Sequence, residues 1–239
     1  YLDKVEILTF LDKDISINWT MNAGAKVMNV LTKGSLNHLT HQLKKKPEEH
    51  FSDVANVVEL AEKKGLLCNI YLEDWSNGMR HSKAYVLQYL DFLMKLPIRR
   101  VMLPDTLGVL YPSETRGYFT ELVERYPELH FDFHAHNDYD LSIANVMEAT
   151  LAGAHGLHLT VNGMGERAGN APLSSAVAVL KDYVKDVRTS VEEKSLYSVS
   201  KLVETFSGFR IPANKPVVGE NVFTQTAGIH ADGDKKNKL

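Results

Sequence analysis

The sequence predicts an α/β protein of the TIM (β/α)8 barrel class. Short and almost continuously apolar runs alternate along the chain with longer segments of helical periodicity. Such runs fit strands that are buried on both faces, as in a parallel sheet, so an open doubly wound sheet or a barrel is possible. Polar residues follow five successive runs, and this favours the barrel, because all strand ends of a barrel surround one mouth.

Six strands are predicted, and the helices between them have recognisable start and stop signals. The strands are expected at residues 5–10, 26–31, 67–72, 100–103, 130–134 and 156–161. Pro47 begins a helix that carries Phe51, Val54 and Val58 on one face and ends at Gly65. Later helices are expected from Ser82 to before Pro97, from Ser113 to Pro127, from Leu141 to Gly153, and after Pro172.

A complete barrel has eight strands, so we expect strands three to eight here, with the first two β/α units upstream of Tyr1. Residues 1–190 would form this incomplete catalytic barrel. Residues 191–239 would form a C-terminal helix and loop extension that reaches over the active site.

Composition excludes several classes of partner. The 239 residues carry a net charge of −3, which gives no electrostatic reason to expect nucleic acid or an anionic membrane. No apolar stretch approaches the ~20 residues that span a bilayer, and the N-terminus shows no signal-peptide pattern. The single cysteine, Cys68, excludes a disulfide framework within the chain. We therefore expect a cytoplasmic protein.

His134 and His136 are the strongest chemical signal. Side chains two residues apart on a strand share one face, and two neutral imidazoles there can hold a divalent metal. Asn137 follows as a candidate second-layer or substrate contact. A His-x-His pair alone is also common in structural roles, so its neighbours must decide.

Residues 162–170, with the sequence Asn-Gly-Met-Gly-Glu-Arg-Ala-Gly-Asn, follow the last predicted strand. They fit a dinucleotide-binding fingerprint, but they follow the last strand and contain a charged pair where pyrophosphate would approach. The alternative is a tight turn that brings Asn162 and Asn170 toward the metal site. Pairing of Glu166 with Arg167 would stabilise this turn. A purely structural turn also remains open.

Three further segments supply candidate polar groups. Glu73 closes an apolar strand and is a candidate acid or base. Thr106 is a candidate donor to a substrate carboxylate, with Asp105 orienting it or the surrounding loop. In a C-terminal loop, His230 is a candidate general base and Asp232 would orient its imidazole. Ordinary surface or turn roles are the alternatives for each.

Taken in chain order, these motifs resemble the family of 2-isopropylmalate, homocitrate and citramalate synthases, which are metal-dependent TIM-barrel acyltransferases. The matching segments are 34–35 with His38, 72–74, 104–108, 134–137, 162–170 and 228–233. The resemblance implies a Claisen condensation of acetyl-CoA with a 2-oxo acid, followed by thioester hydrolysis, in branched-chain amino-acid biosynthesis. It also suggests a homodimer.

The same resemblance implies roles for individual residues. His134 and His136 would bind a divalent metal ion (manganese, zinc or magnesium), with Asn170 as a weaker ligand. The metal would polarise the keto carbonyl as a Lewis acid. Glu73 and His230 would handle the protons taken from the acetyl methyl group and from water.

The first strand of the family's barrel is expected upstream of Tyr1 and is absent from these residues. Family members carry an Arg-Asp-Gly motif there, in which the Asp is a third metal ligand and the Arg stabilises the developing alkoxide. Two imidazoles and an amide should bind metal more weakly than a set that includes a carboxylate. We therefore expect these 239 residues alone to lack synthase activity, which would belong to a longer parent.

Residues 71–77 resemble those of citramalate synthases, which take pyruvate. Thr106 would hold the substrate carboxylate, Tyr71 would shorten the pocket and Leu31 would add an apolar side to it. A 2-isopropylmalate synthase that uses 2-oxoisovalerate is the alternative.

Two other classes stay open. A metal-dependent lyase would share the metal face, but such lyases place a catalytic cysteine in a glycine-rich loop, whereas Cys68 lies in an apolar strand. The second class is an inactive barrel fragment that binds metal or partners through exposed strand edges.

Overall fold

One parallel sheet of six strands forms the centre of the protein in the computed structural model, which describes residues 1–185, 187–222 and 224. The strands are β1 Glu6–Thr9, β2 Val27–Lys33, β3 Leu67–Glu73, β4 Ile98–Asp105, β5 Phe131–Ala135 and β6 Gly156–His158. They pair in chain order, each parallel to the next. An open doubly wound sheet would reverse this order at a switch point. The predicted barrel-type α/β fold is therefore confirmed for these strands.

Helices follow the strands and pack on one face of the sheet. In the described residues they are α1 Ile15–Asn22, α2 Leu36–His38 with the π-helical turn Leu39–Leu43, α3 Pro47–Lys63, α4 Trp75–His81, α5 Lys83–Leu93, α6 Pro112–Arg125, α7 Ser142–Leu151, α8 Leu173–Tyr183 and α9 Leu196–Ser207. Alternate strand residues such as Val30, Ile70 and Phe133 form one buried core with them. Within that same part of the chain, none of the helices has the length and apolar content to cross a bilayer.

The sheet curls, with its concave face opposite the helices. Glu6 on β1 forms an ion pair with Arg100 on β4, and both side chains project from the concave face. In a flat sheet, strands three places apart would be about 14 Å from each other. The contact thus requires the curvature of a barrel wall.

Strand β6 is shorter than predicted. It ends at His158, because Thr160 pairs instead with Pro172 beyond the glycine-rich turn. The turn is thereby held beside the carboxyl ends of β5 and β6.

Candidate active site

His134 and His136 project from the concave side of β5, and their Nε2 atoms lie 3.2 Å apart. Two nitrogens that bind one ion at about 2.1 Å would be roughly 3.0 to 3.4 Å apart, so this separation fits a shared ion. Burial, together with the charges of His136 and His158, lowers the pKa of His134 to about 3. Burial and Arg167 lower the pKa of His136 as well. Both imidazoles are therefore held in the neutral form that a metal requires.

Asn170 lies beside this pair, because its backbone bridges to that of His136. Its Oδ1 atom is buried and has no hydrogen-bond partner among the described residues. Gly165 provides the space, since a Cβ there would lie 2.7 Å from Asn170 Cγ. Two imidazoles and an unpaired amide oxygen suit a divalent ion, although the described part of the chain has no group of three His, Cys, Asp or Glu side chains that could hold a metal ion. The ligand assignment remains a prediction.

Glu73 lies at the end of β3, next to two basic residues. Lys33 is opposite it on β2 and forms an ion pair with it, while also donating to Gln42 Oε1 at 2.9 Å. His38 Nδ1 is 4.0 Å from Glu73 Oε1, and its Nε2 is 3.4 Å from Asp74 Oδ2. The candidate acid or base is therefore positioned by neighbours. Sequence reasoning missed Lys33, although strand alternation places it on the same face as Leu31.

Thr106 joins the end of β3 to the glycine-rich turn. Its hydroxyl accepts a hydrogen bond from the backbone N–H of Asp74 at 2.8 Å, and its carbonyl accepts one from Arg167 at 2.8 Å. The hydroxyl keeps its own hydrogen for donation, and its contact with a substrate carboxylate stays a prediction. Arg167 lies 3.5 Å from Glu166, the expected partner, but also binds both carboxylate oxygens of Asp138 at 2.7 and 2.9 Å.

Asp105 and Asn137 form hydrogen bonds that organise loops. Asp105 accepts from the backbone N–H groups of Val109 and Leu110 at 3.0 and 2.9 Å, so it orients the loop after β4. Asn137 Oδ1 accepts from the backbone and the hydroxyl of Ser142, at the start of α7. A direct role for Asn137 in substrate binding stays a prediction.

Tyr71 and Leu31 lie opposite each other on β3 and β2 and are half-buried on the concave face. The Tyr71 ring meets that of His134 edge-on, with ring centroids 5.8 Å apart. Burial and the charge of Glu73 raise the pKa of the Tyr71 phenol, which stays protonated. Of the two residues predicted to limit the pocket, Tyr71 thus lies directly beside His134, and Leu31 lies next to Tyr71.

His158 belongs to the same region, although the sequence suggests only a packing or surface role for it. Its ring lies 5.7 Å from that of His134, measured between centroids, and its Nε2 is 3.2 Å from Asp132 Oδ2. Burial opposes ionisation of Asp132, but the hydrogen bond from His158 and the charges of His158, Arg100 and His130 outweigh it and lower the pKa. The even spacing from Asp132 to His136 is the signal that could have placed Asp132 on this face.

His230 and Asp232 lie outside the described residues. Helix α9 packs against the glycine-rich turn, where Asn162 Nδ2 donates to the carbonyl of Ser200 at 2.9 Å. The division at residue 190 and the reach of the extension over the site remain predictions.

Known proteins resemble this chain over most of its length. A homocitrate synthase from Sulfolobus acidocaldarius is 39% identical over 186 residues, covering 78% of this chain and 39% of that protein. A probable 2-isopropylmalate synthase from Ignicoccus hospitalis is 36% identical, covering 91% and 53%. A putative (R)-citramalate synthase from Methanopyrus kandleri is 37% identical, covering 93% and 43%. The chain spans about half the length, or less, of these relatives.

Solved structures support the fold. The hydroxymethylglutaryl-CoA lyase from Pseudomonas aeruginosa superposes with a TM-score of 0.74 at 18% sequence identity, over 87% of this chain and 71% of that one. At this identity the likeness concerns the fold alone. The HMGL-like family matches residues 5–203, which is most of the sequence. Together with relatives more than 30% identical, this match shows that the chain belongs to the HMGL-like family.

Proposed function

We propose that the chain forms the barrel part of an acyltransferase that condenses acetyl-CoA with a 2-oxo acid. The observation that carries this proposal is the convergence of His134 Nε2 and His136 Nε2 at 3.2 Å, on the concave face of a barrel-type sheet. The names of the relatives support it, since they are homocitrate, 2-isopropylmalate and citramalate synthases. A homodimer belongs to the same proposal and rests on the resemblance. A cytoplasmic location also belongs to it and rests on the single cysteine of the sequence.

The residues of the chain supply binding and proton transfer. His134, His136 and Asn170 would hold a divalent ion, which when bound supplies Lewis-acid polarisation of a keto oxygen. The Thr106 hydroxyl would donate to the substrate carboxylate. Glu73, held by Lys33, would take the proton from the acetyl methyl group, and His230 would serve the step that involves water.

Pyruvate is the 2-oxo acid that the pocket favours, which would give citramalate. Tyr71 and Leu31 lie opposite each other on the concave side, and the Tyr71 ring packs against His134, so both would limit the length of the substrate side chain. A difference of a few methylenes changes selectivity by ~10 to 200-fold. 2-Oxoisovalerate, the substrate of a 2-isopropylmalate synthase, is the alternative.

A lyase is less well supported. Cys68, the one cysteine of the sequence, lies on the helix-covered side of β3 and is 2% exposed. Burial and the charge of Glu62 raise the pKa of its thiol to about 12, so it is neither accessible nor ionised.

Release of CoA by the full-length protein is the test. Acetyl-CoA with pyruvate, 2-oxoisovalerate or 2-oxoglutarate should release thiol in the presence of Mn²⁺, Mg²⁺ or Zn²⁺. His134→Ala and His136→Ala should lower the rate more than about 100-fold. The exposed His41 provides the matched control, His41→Ala, which should leave the rate unchanged. Equal rates in all three variants, or no thiol release with any 2-oxo acid, would contradict the proposal.

A further inference from the structure

The rings of Tyr71, His134 and His158, from three different strands, form a closed triangle. The ring centroids of Tyr71, His134 and His158 are separated by 5.8 Å, 5.7 Å and 6.1 Å. Tyr71 and His158 both meet the His134 ring at steep interplanar angles, 65° and 68°. The plane of the His134 imidazole is thus set by the two rings that pack against it.

His158 is in turn held by Asp132, which is completely buried. A carboxylate only accepts hydrogen bonds, so His158 must carry a hydrogen on Nε2 in its 3.2 Å contact with Asp132 Oδ2. Arg100 donates to the same oxygen at 2.9 Å and is itself paired with Glu6. Gly156, opposite Asp132 on β6, provides the space, because a Cβ there would overlap the carboxylate.

The second carboxylate oxygen is less well satisfied. His130 Nε2 lies 2.9 Å from Asp132 Oδ1 but out of line, and Oδ1 has no hydrogen-bond partner among the described residues. The buried charge is therefore balanced mainly by Arg100 and His158, through Oδ2. Loss of either partner would leave the buried charge of Asp132 uncompensated and would strongly destabilise the fold. Arg100 and His158 are therefore both needed where they lie.

We propose that Asp132 and His158 are positioning residues for His134. Asp132 fixes the tautomer and orientation of His158, and the His158 ring then holds the His134 imidazole so that its Nε2 faces that of His136. This inference rests on the proposed metal-binding role of His134 and His136. Loss of such outer contacts weakens metal binding by roughly 10 to 100-fold in other metalloproteins.

Cobalt binding by the full-length protein tests the proposal without relying on turnover. Asp132→Asn keeps the shape of the carboxylate and removes its charge, whereas His158→Phe keeps a ring and removes the hydrogen bond. Each should weaken Co²⁺ binding, followed by the visible absorption of the ion, by roughly 10 to 100-fold. The double variant should bind Co²⁺ with the same affinity as the single variant that binds it less tightly, because the two residues act as one unit.

The matched control is Thr115→Val. Thr115 is completely buried in α6, and within the described residues its hydroxyl donates to the Tyr111 carbonyl one turn earlier and to no other group. This variant should lose thermal stability yet keep Co²⁺ affinity within about twofold. If Asp132→Asn and His158→Phe behave like Thr115→Val, a positioning role is wrong.

A metal-free measurement separates this inference from the proposed function. In ¹⁵N-histidine NMR spectra, Asp132→Asn should shift the ring signals of His134 and leave those of His41 unchanged. If the wild type binds no cobalt but these shifts occur, the positioning role stands and the metal function fails. Unchanged His134 signals in a folded variant would overturn the positioning role. If Asp132→Asn does not fold, His158→Phe gives the same readout.

Discussion

Lys33 and Glu73 lie directly opposite each other at the ends of β2 and β3, and their side chains form an ion pair on the concave face. The two side chains are 13% and 24% exposed, so water screens the pair only partly. Partial burial strengthens the attraction between the charges and raises the cost of desolvating them. The pair therefore restricts the candidate acid or base to one position.

The coupling between Lys33 and Glu73 should be measurable in a double-mutant cycle. We expect Lys33→Met, Glu73→Gln and the double variant to give a coupling free energy of about 1 to 3 kcal/mol in urea unfolding. Lys181 and Glu193 form a matched exposed pair, with side chains 57% and 45% exposed. Their cycle should give less than about 1 kcal/mol. Equal coupling in the two pairs would contradict the argument.

Gly78, the one glycine of α4, should tolerate no side chain. A Cβ there would overlap the carbonyl oxygen of Gly34 and lie 2.9 Å from Val86 Cγ2, so the helix would have to move away from the end of β2. Gly78→Ala should reduce the free energy of unfolding by about 1 to 3 kcal/mol.

Gly117 provides the control for that substitution. It lies in α6, and a Cβ added there would meet no atom of the surrounding structure within 4 Å. Gly117→Ala should therefore raise the free energy of unfolding by about 0.5 to 1 kcal/mol, because alanine favours the helix. Chemical denaturation of both variants checks the contrast. If Gly78→Ala left the free energy of unfolding unchanged, the close contact with Gly34 would not limit the side chain at this position.

His50 should make stability depend on pH. Its ring is completely buried on α3, and its Nε2 accepts a hydrogen bond from the backbone N–H of Lys33 at 3.3 Å. Burial lowers the pKa of His50 from 6.5 to about 4, with Lys45 and Lys33 acting in the same direction and Asp53 opposing them. The folded protein therefore resists a proton that the unfolded chain accepts.

The sign of the effect follows from that difference. Above pH 6.5 both states hold a neutral His50, and as the pH falls from 6.5 to 4 only the unfolded state gains a proton. Stability should fall over this range by up to about 3 kcal/mol from this residue alone. His50→Gln keeps an acceptor for Lys33 and removes the titration. Unfolding free energies of the two proteins between pH 7 and 4 should diverge, and parallel curves would show that His50 contributes nothing.

The strands were predictable because they are almost continuously apolar, but the carboxyl ends of β2 and β4 were not. Apolar runs end at the first polar residue, which stops β2 at Leu31 and β4 at Leu103. In the structure the ladders continue to Lys33 and Asp105. Polar side chains at the mouth of a barrel still belong to hydrogen-bonded strands, so an apolar criterion shortens strands such as β2 and β4 at the place where the site lies.

Local motifs carry the candidate ligands His134, His136 and Asn170, which the structure brings together at the ends of the strands. The interactions that hold them are not local. Asp132 meets Arg100 from a neighbouring strand, and Arg100 meets Glu6, which is 94 residues away in sequence. Such contacts depend on the curvature of the sheet, and neither composition nor periodicity specifies which polar residues it brings together.

Tyr71 should determine which 2-oxo acid enters. Its ring lies beside His134 and opposite Leu31, so Tyr71→Ala would open space where a longer substrate side chain would lie. In the full-length protein we expect the ratio of kcat/KM for 2-oxoisovalerate to that for pyruvate to rise by ~10 to 200-fold. Tyr85, whose phenol donates to the Lys33 carbonyl at 2.8 Å from the helix layer, offers a control of the same residue type. Tyr85→Ala should lower stability without changing that ratio. An unchanged ratio in Tyr71→Ala would show that the pocket is limited elsewhere.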